Sequence, residues 1–306
     1  MIPTPILPTP ADALLCSGHA ACPGCIDALS ARHVLAAIGP DAVAVIPPSC
    51  MAIIAGPQPA SSLKIPVYQP TLESSAAAAS GLRRALDAQG RRETTVVVLA
   101  GDGGTYDIGF QCLSSAAERN ENILYVCLDN EGYMNTGAQK SSSTPHYAKT
   151  GSTPAGKLSR KKNLPEIMAA HGVPWVATAS AGHLADLLRK VETARGIRGF
   201  RLLTLLIPCL DGWGVADDAG LLAARLAVDS GAFPLLEVED GVRWSVQSRK
   251  TRPVADYLAI QSRYRGLDAA TVQALQAEID EGWARLQRLV ALGAPETHAA
   301  LEAARS

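Results

Sequence analysis

Thr94-Thr-Val-Val-Val-Leu-Ala100 runs directly into Gly101-Asp102-Gly103-Gly104. A β-branched, uncharged run of this kind suits a strand covered on both faces. The stretch from Asp107 to Arg119 reads as a helix, with Asp107 at its start. A buried strand that ends in glycines at the start of a helix lies where open α/β sheets bind ligands, beyond the strand carboxyl ends. Glycines let backbone N–H groups approach a phosphate, and the helix start adds a favourable dipole. The Asp102 carboxylate does not serve the phosphate itself, because like charges repel. It makes sense if a divalent cation lies between them, since Mg²⁺ often joins one or two carboxylates to substrate phosphates. The plainer alternative is a Gly-rich turn whose Asp102 caps the helix.

Strand and helix patterns alternate on either side of this motif. Helices are expected over Ile26–Ile38, closed by Gly39-Pro40, and over the Ala-rich stretch Ser74–Gln89. Short apolar strands are expected at Ala42–Ile46, closed by Pro47-Pro48, and at Asn122–Leu128. Further on come a short helix at Leu164–His171, a strand at Val173–Ala177, a helix at Ala181–Arg195 and a strand at Phe200–Ile207. Such a βαβα series implies an α/β fold, a mostly parallel sheet with helices on both faces. Residues 1–14 read as an extended, proline-rich arm, either a frayed terminus or a segment lying on a partner subunit. Residues 15–230 form the α/β domain, and 231–306 a C-terminal extension that reads as largely helical. In the extension Val272, Leu275, Ile279, Trp283, Leu286 and Val290 share one face of a long amphipathic helix. That face packs on its own domain or on another subunit.

Composition excludes several classes. The chain has 306 residues, 47% of them hydrophobic and 19% charged, which excludes disorder as the dominant state. Its net charge of −1 and 5% aromatics argue against a nucleic-acid binder. No run is long and apolar enough for a membrane span. Met1–Pro10 lacks the basic start of a secretory signal, so the expected compartment is the cytoplasm.

Beyond the next strand lies Asp129-Asn130-Glu131-Gly132-Tyr133. The βα crossover brings that strand end beside the first. An Asn130 amide oxygen and a nearby carbonyl could then complete a Mg²⁺ shell. A GDG followed about thirty residues later by Asn resembles the thiamine-diphosphate motif of thiamine-dependent enzymes.

Seven cysteines in a chain of this size are not a disulfide framework in a reducing compartment. Cys22-Pro23-Gly24-Cys25 is a chelating pair, and Cys50 and Cys209 each follow a strand end and proline. Four thiolates gathered from these points suit a [4Fe–4S] cluster. Structural zinc and plain thiols are the alternatives. Cys16, Cys112 and Cys127 have no such placement.

Together these motifs resemble the β subunits of the 2-oxoacid:ferredoxin oxidoreductases, the pyruvate:ferredoxin oxidoreductase family. The matching stretches are GHAACPGC at 18–25, PPSC at 47–50, GDGGTYDIG at 101–109, DNEGYMNTG at 129–137, SSSTP at 141–145 and Pro208-Cys209. The resemblance spans roughly residues 15–245. It implies that Cys22, Cys25, Cys50 and Cys209 hold a [4Fe–4S] cluster beside thiamine diphosphate. It implies that Asp102, the Asn130 side chain and the Gly132 carbonyl bind Mg²⁺. Ser49, Cys50, Gly101, Gly103 and Gly104 would line the cofactor, with Asn135 and Thr136 near the reacting carbon as the catalytic candidates. Ile26 departs from the glycine often found after the second cysteine. The implied reaction is oxidative decarboxylation of a 2-oxo acid, with thiamine as electron sink, coenzyme A taking the acyl group and a cluster taking electrons singly. Pyruvate or a relative such as phenylglyoxylate would be the substrate, and ferredoxin or NAD, through other subunits, the acceptor. The family draws its activating glutamate and pyrimidine half-site from an α subunit. Glu73, Glu118 and Glu131 have no sequence reason to serve, so the chain is expected to be inactive alone. A non-redox thiamine decarboxylase or synthase subunit, with incidental cysteines, is the alternative. A non-enzymatic electron-transfer or zinc module leaves the GDGG and Asn130 spacing unexplained.

Between Glu131 and Glu166 no acidic residue occurs, while Lys140, Lys149, Lys157, Arg160, Lys161 and Lys162 do. This loop is either solvated or meets anions, such as coenzyme A phosphates or an acidic partner. His19, beside the first cysteine pair, is either structural or catalytic.

Overall fold

The computed structural model describes residues 13–293; the expected arm over 1–14 lies almost wholly outside them. The eight strands are β1 (Ala42–Val45), β2 (Val67–Tyr68), β3 (Thr95–Gly101), β4 (Leu124–Asp129), β5 (Trp175–Ser180), β6 (Arg201–Leu206), β7 (Leu236–Glu239) and β8 (Arg243–Val246). They form one sheet in the order β2-β1-β3-β4-β6-β5-β7-β8. The pairs from β2 through β5 are parallel, and β7 and β8 join antiparallel. Every residue of β4, β5 and β6 is buried, as an apolar run in a doubly covered sheet requires.

Side chains alternate between two cores because successive Cβ atoms point to opposite faces. Val97, Leu99, Val126, Leu203 and Leu205 meet α1 (Ile26–Ile38), α2 (Cys50–Ala55) and, beyond α3 (Ser75–Ala88), α4 (Phe110–Glu118) and α5 (Leu164–Ala169), the later α6 (Leu184–Gly196). Val96, Val98, Tyr125, Cys127 and Leu202 face α3, α4 and α5 instead. The connection after β1 therefore leaves to one face and that after β3 to the other. Their carboxyl ends splay apart, which opens the crevice where doubly wound sheets take ligands.

Local chemistry sets the helix starts. The Ser49 hydroxyl accepts from Ala52 N at 3.3 Å to cap α2. Asn163 caps α5 ahead of Pro165. The helix expected from Asp107 is displaced: a wide helical turn spans Gly103–Asp107, and α4 starts at Phe110. Asp107 ends that turn instead of opening α4, and its carboxylate accepts from Tyr133 Oη (3.0 Å) and Ser142 N (3.2 Å).

The extension holds two strands besides its helices. It supplies β7 and β8, so the sheet continues past residue 230. After α7 (Leu210–Trp213) and α8 (Gly220–Asp229) come α9 (Val254–Ala259) and the long α10 (Ala269–Leu292), which Asp268 caps through Thr271 N. The apolar face of α10 turns onto its own domain: Leu275 and Leu286 are buried, and Trp283 Nε1 donates to Gly231 O at 3.0 Å. No helix among the described residues is long and apolar enough to cross a membrane.

Leu203 is fully buried at the centre of the sheet. Leu203→Ala is expected to cost about 2–5 kcal/mol of stability, read as a lowered midpoint in chemical denaturation. A loss below about 1 kcal/mol would mean that this face of β6 is not close-packed.

Candidate functional site

The carboxyl ends of β1, β3 and β4 enclose a cleft of about 170 Å³. Its walls are Ser49 and Cys50 from β1, Gly101, Asp102, Gly103 and Gly104 from β3, and Asn130, Gly132, Asn135 and Thr136 from beyond β4. All the residues expected to line a cofactor are thus brought together, with Pro48, Leu72, Tyr133 and Met134 added. Asp102 is the acidic residue among them, and no glutamate lines the cleft among the described residues.

Gly103 cannot carry a side chain here. A Cβ would lie 2.2 Å from Cε1 of the Tyr133 ring, whose hydroxyl donates to Gly103 O (3.3 Å) and Asp107. At the other end of the cleft Cys50 Sγ donates to Asn135 Oδ1 at 2.6 Å. Thr136 Oγ1 donates to Gln139 Oε1 at 2.6 Å.

Asp102 is wholly buried and accepts from Ser141 Oγ at 2.5 Å. Burial, and then the neighbouring Asp129 carboxylate, push its carboxyl well above the usual range; Ser141 and Lys161 offset this incompletely. The end of the Asn130 amide that faces Asp102 stands 2.9 Å from Asp102 Oδ1 and 2.7 Å from Gly132 O. With nitrogen at that end, the amide donates to both oxygens. With oxygen at that end, three oxygens meet around one point, an arrangement that a hard cation stabilises. The nitrogen then faces Cys50 Sγ at 3.8 Å. The donor set therefore fits a Mg²⁺ ion.

Behind this point lies a buried ion network. Lys161 Nζ donates to Asp129 Oδ2 (2.8 Å) and Glu131 Oε1 (2.9 Å). Arg263 reaches Glu131 Oε2 at 2.7 Å from a turn beyond α9. Ser143 Oγ and Tyr106 Oη also donate to Asp129, at 2.5 and 3.1 Å. Burial alone would raise the Glu131 carboxyl, but Lys161 and Arg263 outweigh it and hold it below the usual range. Glu131 is thereby occupied, and the structure gives it no place in the cleft. The basic loop is solvated at Lys140 and Arg160, while Lys149, Lys157, Lys161 and Lys162 turn onto the chain itself. Lys157 donates to Ser142 O and Thr144 O, Lys149 to Arg265 O and Lys162 to Tyr106 O. Arg160 pairs with Glu278 and Glu281 on α10.

The four cysteines, at the starts of α1, α2 and α7 and in the turn before α1, lie near enough to feel one another's charge. Gly24 sits so close to this chain's later segment that a Cβ would meet Asp217 O at 2.4 Å, which brings the CPGC turn against α7. Cys209 Sγ caps α7 by accepting from Gly212 N at 3.3 Å. Burial first, eased by that Gly212 bond, then Asp211, Cys25 and Cys22, push the Cys209 thiol up to about 11. Burial, then Asp27, Cys209, Cys25 and Cys22, push Cys50 up further. Among the described residues no group of three or more His, Cys, Asp or Glu is placed to hold a metal ion. His19 Nδ1 accepts from Ala21 N at 3.4 Å, a bond that shapes the turn. Lys161, Arg263, Ser141 and Ser143 were not singled out individually as site residues in the sequence. The serines fall in the SSSTP run, whereas nothing local to Arg263 marks it.

A sheet with this switch point and this carboxylate–amide–carbonyl group defines a thiamine-diphosphate-binding domain. Residues 51–205 match the family described as thiamine pyrophosphate enzyme, C-terminal TPP binding domain. Pyruvate synthase subunit PorB of Methanothermobacter marburgensis is 44% identical over 89% of this chain and 96% of its own length. Ketoisovalerate oxidoreductase subunit VorB of Pyrococcus abyssi is 40% identical over 89% and 92%. The β subunit of NADH-dependent phenylglyoxylate dehydrogenase from Aromatoleum evansii is 38% identical over 90% and 64%. The fold is shared with a 2-oxoglutarate:ferredoxin oxidoreductase from Magnetococcus marinus, at a TM-score of 0.59 and 21% identity over 87% of this chain and 95% of that one. The chain belongs to the β subunits of the 2-oxoacid oxidoreductases.

Two outcomes follow from the charges. Asp102→Asn removes an unbalanced buried carboxylate, so the metal-free chain should gain about 1 kcal/mol or more while losing Mg²⁺-dependent cofactor binding. Thermal melting with and without Mg²⁺ and thiamine diphosphate checks this. Lys161→Met should cost about 3–5 kcal/mol because it leaves the buried Asp129 without a cation, while the exposed Arg160→Ala should cost less than about 1 kcal/mol. Equal losses in denaturant titrations would contradict the network as described.

Proposed function

We propose that this β subunit carries the diphosphate half of a thiamine diphosphate site, its Mg²⁺ and a [4Fe–4S] cluster. With an α subunit and a ferredoxin-like electron-transfer subunit it would convert a 2-oxo acid to an acyl-CoA. The observation that carries this reading is the convergence of Asp102 Oδ1, the Asn130 amide and Gly132 O at the switch point of the sheet. Asp102, the Asn130 oxygen and the Gly132 carbonyl would hold Mg²⁺. Backbone N–H groups of the 101–104 turn would meet the diphosphate, the space beside Gly103 and Gly104 being taken by Tyr133 and Leu72. When bound, thiamine diphosphate supplies the electron sink on which a 2-oxo acid loses CO₂.

The chain's own part is to bind, orient and exclude water. Asn135 and Thr136 stand at the open end of the cleft, where substrate and coenzyme A would enter. The α subunit would bring the glutamate and the pyrimidine half-site that the cleft lacks. Cys22, Cys25, Cys50 and Cys209 would hold the cluster, and Cys50 borders both the cleft and the thiol group. Seven unpaired cysteines suit the reducing cytoplasm. The likeness to pyruvate, ketoisovalerate and phenylglyoxylate enzymes supports a 2-oxo acid without choosing among them. The gathering of four thiols favours redox chemistry over a thiamine decarboxylase or synthase.

Anaerobic purification with partner subunits, followed by iron, sulfide and thiamine analysis, tests the reading. About four irons and four sulfides assignable to this chain are expected, together with thiamine. Cys209→Ser should lose this iron and retain thiamine, since Cys209 lies outside the cleft. Thiamine with zinc or with no metal in the wild-type complex would move the chain to the non-redox class.

A further inference from the structure

We infer that Arg263, outside the thiamine-binding family match, is a positioning residue for the Mg²⁺ loop. This inference rests on the reading that Asp102, Asn130 and Gly132 bind Mg²⁺.

Three observations carry it. Glu131 lies between two of those three groups and has φ +64°, a conformation that a side chain other than glycine rarely holds without support. That twist turns the Asn130 side chain and the Gly132 carbonyl toward the same point. Both Glu131 oxygens are held, Oε1 by Lys161 and Oε2 by Arg263. The Arg263 guanidinium, 2% exposed, also lies 3.8 Å from the centroid of the Trp213 ring. Trp213 Nε1 in turn donates to the Asn130 carbonyl at 2.8 Å. Arg263 therefore grips the loop on both sides of the Asn130–Glu131 peptide: by charge at Glu131, and through a stacked indole at Asn130. Its own position is fixed, since Nε donates to Gln261 Oε1 at 2.8 Å and its carbonyl accepts from Lys149 N at 3.0 Å. Arginine suits the task because its planar cation stacks and donates in one geometry, which lysine does not reproduce. Partners behind a metal ligand orient it, and their loss typically costs about 10–100-fold in metal affinity.

The test uses the complex with its partner subunits, stripped of Mg²⁺ and thiamine diphosphate by chelation and dialysis. Mg²⁺ is then titrated back at fixed thiamine diphosphate, and bound cofactor is measured by thiochrome fluorescence. Iron content and melting temperature are recorded alongside. Arg263→Met should raise half-saturating Mg²⁺ about 10-fold or more. Arg263→Lys should fall between, at about threefold, because it restores charge without the fork. Arg285→Met removes an ion pair between α10 and Glu166 that does not touch the loop, and should leave the value unchanged. A wild-type Mg²⁺ requirement in Arg263→Met overturns the inference, and so does an equal rise in Arg285→Met. Where Arg263→Met fails to assemble, Arg263→Lys decides: an intermediate value supports the inference and a wild-type value overturns it. A wild-type complex that takes up no Mg²⁺ with thiamine diphosphate overturns the functional reading itself, and this inference with it.

Discussion

Three carboxylates, Asp102, Asp129 and Glu131, are buried at the ends of two adjacent strands with two cations, Lys161 and Arg263, among them. Lys161 and Arg263 satisfy Asp129 and Glu131 directly. Asp102 has a hydroxyl partner and, among the described residues, no cation in contact. Buried charge without a counter-charge is costly, so a fold that keeps this carboxylate has a use for positive charge at that point. Much of the rest is arranged around the imbalance. The parallel strands place the carboxylates, the loop from residue 140 to 162 supplies serines and a lysine, and the extension supplies an arginine.

The α/β pattern was legible because the strands are apolar and uninterrupted and the helices end at glycine and proline. Ile26–Ile38 was placed to the residue, since Gly39-Pro40 leaves little freedom. The stretch from Asp107 was misplaced because Asp at a helix start is a good cap in general, while here its carboxylate is taken by Tyr133 and Ser142 across the fold. β7 and β8 are not legible in the sequence because short strands at a sheet edge carry little periodicity. They add two short strands of the main sheet to an extension whose longest element is still the helix α10.

The cleft was legible for a different reason. Its residues sit in short runs directly after strands, where topology alone brings them together. The network behind it was not, because its members are far apart in sequence and their role exists only once the chain is folded. Glu131 and Arg263 are 132 residues apart. The basic loop shows the same limit: a run of positive charge in sequence says nothing about which carboxylates it will meet. Most of these groups are turned inward, toward backbone carbonyls, Asp129, Glu131 and the acids of α10.

Asn130 has a two-ended amide, and its two ends face different neighbours. One end meets the oxygens of Asp102 and Gly132, and the other faces the sulfur of Cys50. Turning the amide to suit a cation changes what the sulfur is offered, from a lone pair to an N–H. A cation held at that point would therefore also set the polarity felt by that sulfur, through a single rotation about one bond. The two halves of the site cannot be tuned apart while Asn130 stands between them.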